Sequence, residues 1–135
     1  MRFKCEKAEQ LTVTLENRPG ILADLCAHLS DRRINIRAIA ALDSTASGSA
    51  RLVVDNPQFT KEVLSQAGVR FTSATCLAVE MPNSPGGFAR IARALSLAGI
   101  NIDYIYASGL PRAGKALGIF GVSDLERALS LAWES

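Results

Sequence analysis

Apolar and polar residues alternate along Leu11-Thr12-Val13-Thr14-Leu15, a period of two that predicts a strand with one buried face. The period then lengthens. Ile21, Leu22, Leu25 and Leu29 predict a helix over about 20–33, with Arg32 and Arg33 in its last turn, where positive charge suits the helix dipole. A strand is expected over 35–42, then a loop through Ser44 to Ser49, then a strand over 50–54. Asp55-Asn56-Pro57 reads as a helix start with Pro57 in the first position. Phe59, Val63, Leu64 and Ala67 form that helix's buried stripe, and Gly68 ends it. The same order then returns. Leu77-Ala78-Val79-Glu80-Met81 alternates, and Phe88, Ile91, Ala92 and Leu95 have helical spacing up to Gly99. Strands over 101–108 and 116–122 flank a loop holding Gly109, Pro111 and Gly114. Ser123 with Glu126 reads as a capping box ahead of a last helix carrying Leu125, Leu129 and Trp133.

The two passes are copies. Glu16-Asn17-Arg18-Pro19-Gly20-Ile21-Leu22 returns as Pro82-Asn83-Ser84-Pro85-Gly86-Gly87-Phe88, and Pro19 to Pro85 is 85 − 19 = 66 residues. Arg33-Ile34-Asn35-Ile36 returns as Gly99-Ile100-Asn101-Ile102, again 101 − 35 = 66. The offset is expected to hold from Leu11 through Gly48, matched by Leu77 through Gly114. Each proline-glycine element is a strand-to-helix turn. Proline near the first helical position loses only an N–H that has no partner there, and glycine strips side chain away from the free donors of the first turn. Such a bare helix end suits a carboxylate or a phosphate.

The order β-α-β-β-α, twice, is a ferredoxin-like pattern: an α+β fold with helices on one face of an antiparallel sheet. Each unit needs one more strand. Val69-Arg70-Phe71-Thr72 offers it to the first, and the same offset applied backwards points to Phe3-Lys4-Cys5 for the second. The expected division is 1–68, with its edge strand completed by 69–75, and 69–135, completed by 3–6. In the alternative, Phe3 only extends the first long strand. The second unit then has a bare edge and pairs with another chain.

The N-x-P-G turn followed by I-N-I, in this order and twice over, resembles the ACT domain, a small amino-acid-sensing module. The first copy is most similar to the serine-sensing domain of phosphoglycerate dehydrogenase. The resemblance implies tandem ACT units (βαββαβ) that bind ligand between domains, the turn of one meeting the I-N-I asparagine of its neighbour. Carried over, Asn17 with the backbone of Gly20, Ile21 and Leu22 faces Asn101, and Asn83 with the backbone of Gly86, Gly87 and Phe88 faces Asn35. One departure matters. The serine sensor has a histidine two residues before its turn asparagine, where this chain has Leu15 and Met81. Walls of Leu15, Leu22, Met81 and Phe88 favour an apolar amino acid over serine. Asp103 stands where the first copy has Arg37, so the two pockets need not bind alike.

Composition narrows the classes. The chain has 135 residues, 48% of them hydrophobic and 21% charged, with a net charge of +2 and no basic run, which argues against nucleic acid. Three cysteines, Cys5, Cys26 and Cys76, are too few and too scattered for a disulfide framework or a zinc site, and Cys26 reads as a small core residue. No stretch is long enough to span a membrane, and residues 1–10 do not read as a signal peptide, so a cytoplasmic setting is expected. His28, the one histidine, falls on a helix with no nucleophile at a family spacing, and Tyr104 and Tyr106 share a strand face. No catalytic, metal or cofactor group is expected. The expected partners are a free apolar amino acid, an enzyme of amino-acid metabolism and a second copy in a homodimer. The alternatives are a regulatory subunit of an enzyme such as acetolactate synthase, or a dimerisation module that binds nothing.

Overall fold

The two alternating runs become halves of longer strands. The computed structural model describes residues 2–16, 18–42, 48–109, 112 and 114–133. Its elements are β1 (Lys4–Leu15), α1 (Ile21–Asp31), β2 (Ile36–Leu42), β3 (Gly48–Val54), α2 (Pro57–Gln66), β4 (Phe71–Pro82), α3 (Gly87–Leu97), β5 (Ile102–Gly109), β6 (Lys115–Val122) and α4 (Leu125–Leu129). Asn17, the loop over 43–47 and Pro111 lie outside the described residues.

The chain divides into two compact units, one of Glu9–Ala74 and one of Met1–Ala8 with Thr75–Ser135. We call them the first and second unit after the motif copy each carries. In the first, β3 lies between β2 and β1, and β4 flanks β1 on its other side. In the second, β6 lies between β5 and β4, and β1 flanks β4. Strands β1 and β4 run through both units. The short strand expected at Phe3 and the long one from Gln10 are therefore one strand, as are those expected at Val69 and Leu77. The chain order β1-α1-β2-β3-α2-β4 makes the first unit. The second runs from β4 through α4 and takes its last strand from the start of β1.

Alternation decides what each core receives. Leu11 and Val13 join Leu25, Leu29, Ile34, Leu52, Val63 and Leu64 in the first, with Val69 and Phe71 packed against it. Leu77, Val79 and Met81 join Phe3, Ile91, Leu95, Ile100 and Phe120 in the second. Burying such side chains contributes about 1.5–3 kcal/mol each. Trp133 closes the second core edge-on to Phe3, ring centres 6.5 Å apart, and donates its indole N–H to the carbonyl of Ala128 at 2.9 Å. It does so from beyond the helix expected to carry it, since α4 ends at Leu129. Cys26 is only half-buried, and the fully buried thiol is that of Cys76. Cys26 lies beside the core-facing stripe of α1, whose buried residues are Leu25 and Leu29.

The repeat is exact only up to its loop. Leu11 pairs with Leu52 and Leu77 with Phe120, so after the loop the offset is 120 − 52 = 68 rather than 66. Two extra residues thus enter between β5 and β6. The expected match of Gly48 to Gly114 fails, because Leu15 faces Gly48 while its counterpart Met81 faces Ala116. The same shift corrects the last helix cap. Asn56 caps α2 by accepting from the N–H of Phe59 at 3.1 Å, and Asp124, 68 residues on, caps α4 by accepting from Arg127 N–H at 3.1 Å. Ser123 is not that cap.

Helices α1, α2 and α3 end alike. The N–H of Ile34, Val69 and Ile100 bonds the carbonyl of Leu29, Leu64 and Leu95 at 3.0, 2.9 and 2.9 Å, closing a Schellman turn each time. The residue before each is left-handed: Gly68 at φ 72°, Gly99 at φ 73°, and in α1 Arg33 at φ 59°. Helix α1 therefore stops at Asp31, and Arg33 lies past its end rather than in its last turn.

Candidate functional site

Both proline-glycine turns have the same geometry. Gly20 (φ 87°, ψ −12°) and Gly86 (φ 93°, ψ −7°) occupy the N-cap positions of α1 and α3 in the left-handed region. Ile21 N–H reaches back to Arg18 carbonyl at 3.4 Å, and Gly87 N–H to Ser84 carbonyl at 3.3 Å. With proline second and a left-handed glycine third, these are type II turns. The prolines therefore precede the caps instead of opening the helices, and they pre-set the turn. No side chain caps either helix. A Cβ built on Gly20 or Gly86 would meet nothing within 4 Å, so the space beside each cap glycine is open. Glycine is needed here for its backbone angle, and the bare donor surface follows from it.

Around these turns, Ile21 and Leu22 are half-buried, Leu22 packing against the first core. Gly87 is buried, and a Cβ there would meet Pro82 carbonyl at 3.2 Å and the Met81 thioether at 3.5 Å. Met81 is only 1% exposed and belongs to the second core. Leu15 likewise packs on the first core. Phe88 is 41% exposed and stands beside the second turn. Asn83 is exposed, with its carboxamide 3.2–3.3 Å from where a Cβ of Gly109 would be. Asn17, its counterpart, lies outside the described residues.

The I-N-I asparagines are anchored by their backbones, which leaves their side chains outside. Asn35 N–H donates to Asp55 carboxylate at 3.1 Å, and Asp55 N–H returns to Asn35 carbonyl at 3.1 Å. Asn101 does the same with Ser123, through the hydroxyl at 2.9 Å and the N–H at 3.0 Å. The sequence marks Asp55 and Ser123 only as helix-start residues and not as partners of these asparagines, because the shift from 66 to 68 hides their equivalence. Asn101 also lines a shallow cavity of about 410 Å³ with Ser96, Gly99 and Ile102.

Neither unit brings turn and asparagine together. In each, they stand at opposite ends of an 11-residue helix, roughly 16 Å apart at 1.5 Å per residue. Two further apolar residues share the repeat. Ile39 and Ile105 are 41% and 46% exposed at matched positions (105 − 39 = 66) on β2 and β5, the strands with a bonded neighbour on one side only. In the sequence they looked like ordinary strand residues. A larger cavity, about 570 Å³, opens elsewhere in the second unit, over Phe3, Met81 and Pro82 with Arg2, Lys4, Glu80 and Lys115 around it.

Two of the cysteines are poor nucleophiles. Burial pushes the Cys5 thiol up to about 12 and that of Cys76 to about 11, far from a reactive thiolate at neutral pH. No group of three or more potential metal ligands occurs among the described residues, and no helix is long and apolar enough to cross a membrane.

Comparison with known proteins agrees with this architecture. The protein of similar fold BT0572 from Bacteroides thetaiotaomicron superposes with a TM-score of 0.85 at 24% identity, over 93% of this chain and 85% of that one. The regulatory subunit of aspartate kinase from Thermus thermophilus superposes at 0.68 and 19% identity, over 96% and 93%. That from Thermus flavus reaches 0.59 at 18% identity, over 89% and 86%. No curated protein matches the chain. The model of the ACT domain pair matches residues 7–133, and with two βαββαβ units each carrying the turn and the asparagine, this chain belongs to the ACT domain family as a tandem pair.

Proposed function

We propose that this ACT pair is an amino-acid sensor that binds a free, apolar α-amino acid and acts on a separate enzyme of amino-acid metabolism in the cytoplasm, catalysing nothing itself. The observation that carries the reading is the repetition of two uncapped helix starts, each with open space beside its cap glycine. First-turn N–H groups at the positive end of a helix dipole suit a ligand carboxylate. An asparagine carboxamide offers an acceptor for the ammonium and a donor for the carboxylate. Since each helix separates its own turn from its own asparagine, the asparagine is supplied by another ACT unit: Asn35 to the turn at Gly86, Gly87 and Phe88, Asn101 to that at Gly20, Ile21 and Leu22. The free sides of β2 and β5 suit addition of a second copy, which is the homodimer reading. Phe88, Ile39 and Ile105 supply exposed apolar surface for the ligand side chain. The fold shared with regulatory subunits of aspartate kinase favours action on a separate catalytic chain over a scaffold that binds nothing.

Calorimetry on Asn35→Ala tests the reading. Loss of that side chain leaves a charged ligand group unpaired, so affinity falls by about 1–3 kcal/mol, roughly fivefold to 150-fold. Unchanged affinity would reduce Asn35 to a backbone anchor.

A further inference from the structure

Resting on the sensor reading, we propose that Asp103 closes the half-site of Asn101 to carboxylate ligands, so that each chain holds one amino acid and not two. The Asn101 carboxamide donates from Nδ2 to Asp103 Oδ1 at 2.8 Å. A carboxylate of the chain itself thus takes the donor that the ligand carboxylate would use. No such bond occurs at Asn35 among the described residues, and the position matching Asp103 is Arg37 (103 − 37 = 66).

The backbones around the two asparagines are alike. Both are clamped by a residue at the start of the following helix, Asp55 or Ser123. Both follow a Schellman turn, and both precede an edge strand. What differs is charge. The first half-site has Arg33 and Arg37 where the second has Gly99 and Asp103. Two other groups work the opposite way: Asp55 replaces Ser123, and Arg127 donates to Ala98 carbonyl at 3.1 Å at the end of α3. These act on backbone at the helix ends. Asp103 bonds the recognising carboxamide itself. Like charges about 4 Å apart cost at least severalfold in affinity even at the dielectric of water, and more once a ligand excludes solvent. The second Nδ2 hydrogen and Oδ1 of Asn101 remain available, but they are offered beside a negative charge. That combination rejects an α-carboxylate.

Calorimetric titration of the full chain with L-leucine, L-valine, L-methionine and L-phenylalanine in turn, on wild type, Asp103→Asn and Asp103→Ala, decides it. Asp103 is exposed, so both variants keep the fold, checked by circular dichroism. The expected result is one site per chain in wild type and two in both variants. Two sites in wild type would overturn this inference and spare the sensor reading. One site in wild type and still one in both variants would acquit Asp103. Binding of none of these amino acids to any form would remove the sensor reading and this inference with it.

Discussion

Arg33 shows how one backbone angle is read at two positions. It holds φ 59° where its counterpart Gly99 holds 73°. A side chain in that region costs about 1–2 kcal/mol, while glycine costs roughly 0.5–1 kcal/mol more than alanine in ordering the chain. Arg33→Gly should therefore raise stability by up to about 1 kcal/mol, and Gly99→Ala should lower it by about 1 kcal/mol. A Cβ at Gly99 would meet nothing within 4 Å, so the loss would be purely conformational. Denaturant unfolding of the two variants checks the opposite signs. A second residue-scale expectation concerns acid. The Glu9 carboxylate is held by Lys61 and Ser73, and these bonds keep its carboxyl below the usual carboxylate range. The folded pKa is depressed, so this stabilisation is complete above the unfolded value of about 4.3 and is lost as pH falls through the folded one. Wild type should lose more of its melting temperature than Glu9→Gln between pH 7 and pH 3. Equal losses would mean that the bonds contribute nothing.

At the scale of elements, the two sheets solve one packing problem in opposite ways. Ala38 faces Val53 in the first unit, and Tyr104 faces Gly121 in the second. A Cβ on Gly121 would come 2.0 Å from the Tyr104 ring, which stacks on Tyr106 at 6.4 Å. Gly121→Val should cost about 1–3 kcal/mol by overpacking, and adding Tyr104→Ala should recover most of it. A double-mutant cycle with no coupling would contradict the pairing. Element type was legible in the sequence because alternation and helical spacing are each carried by several residues. Leu11 and Val13, or Ile91 and Leu95, leave little choice. What escaped was anything resting on one residue or on a count. Ser123 looked like a cap because its spacing to Glu126 fits a box, yet Asp124 lies one residue nearer the helix and wins. The continuity of β1 through Lys7, Ala8 and Glu9 was hidden because a strand passing from one core to another carries polar residues there. For the candidate site, the turns and asparagines were legible as repeated motifs. The Asp103 bond and the Asp55 and Ser123 clamps depend on the fold.

For the molecule as a whole, sequence neighbours are not always fold neighbours. Phe3 is 7% exposed in a core made otherwise of residues from 77 onward. Phe3→Ala should cost about 3–5 kcal/mol, felt in that core. Removal of residues 1–8 should accelerate amide exchange over 75–133 more than over 18–42. The reverse order would contradict the exchange of strands between units. Both units carry the same uncapped helix start. A sensor needs a ligand at that feature. A thermal-shift screen against the twenty amino acids asks the question directly. A ligand at a hundredfold its Kd adds about 2.7 kcal/mol, and each kcal/mol moves the midpoint by about 2–6 °C in a chain of this size. A rise of several degrees is expected with at least one apolar amino acid and none with serine, for whose hydroxyl the exposed Phe88, Ile39 and Ile105 offer no partner. A flat response to all twenty would contradict the sensor reading.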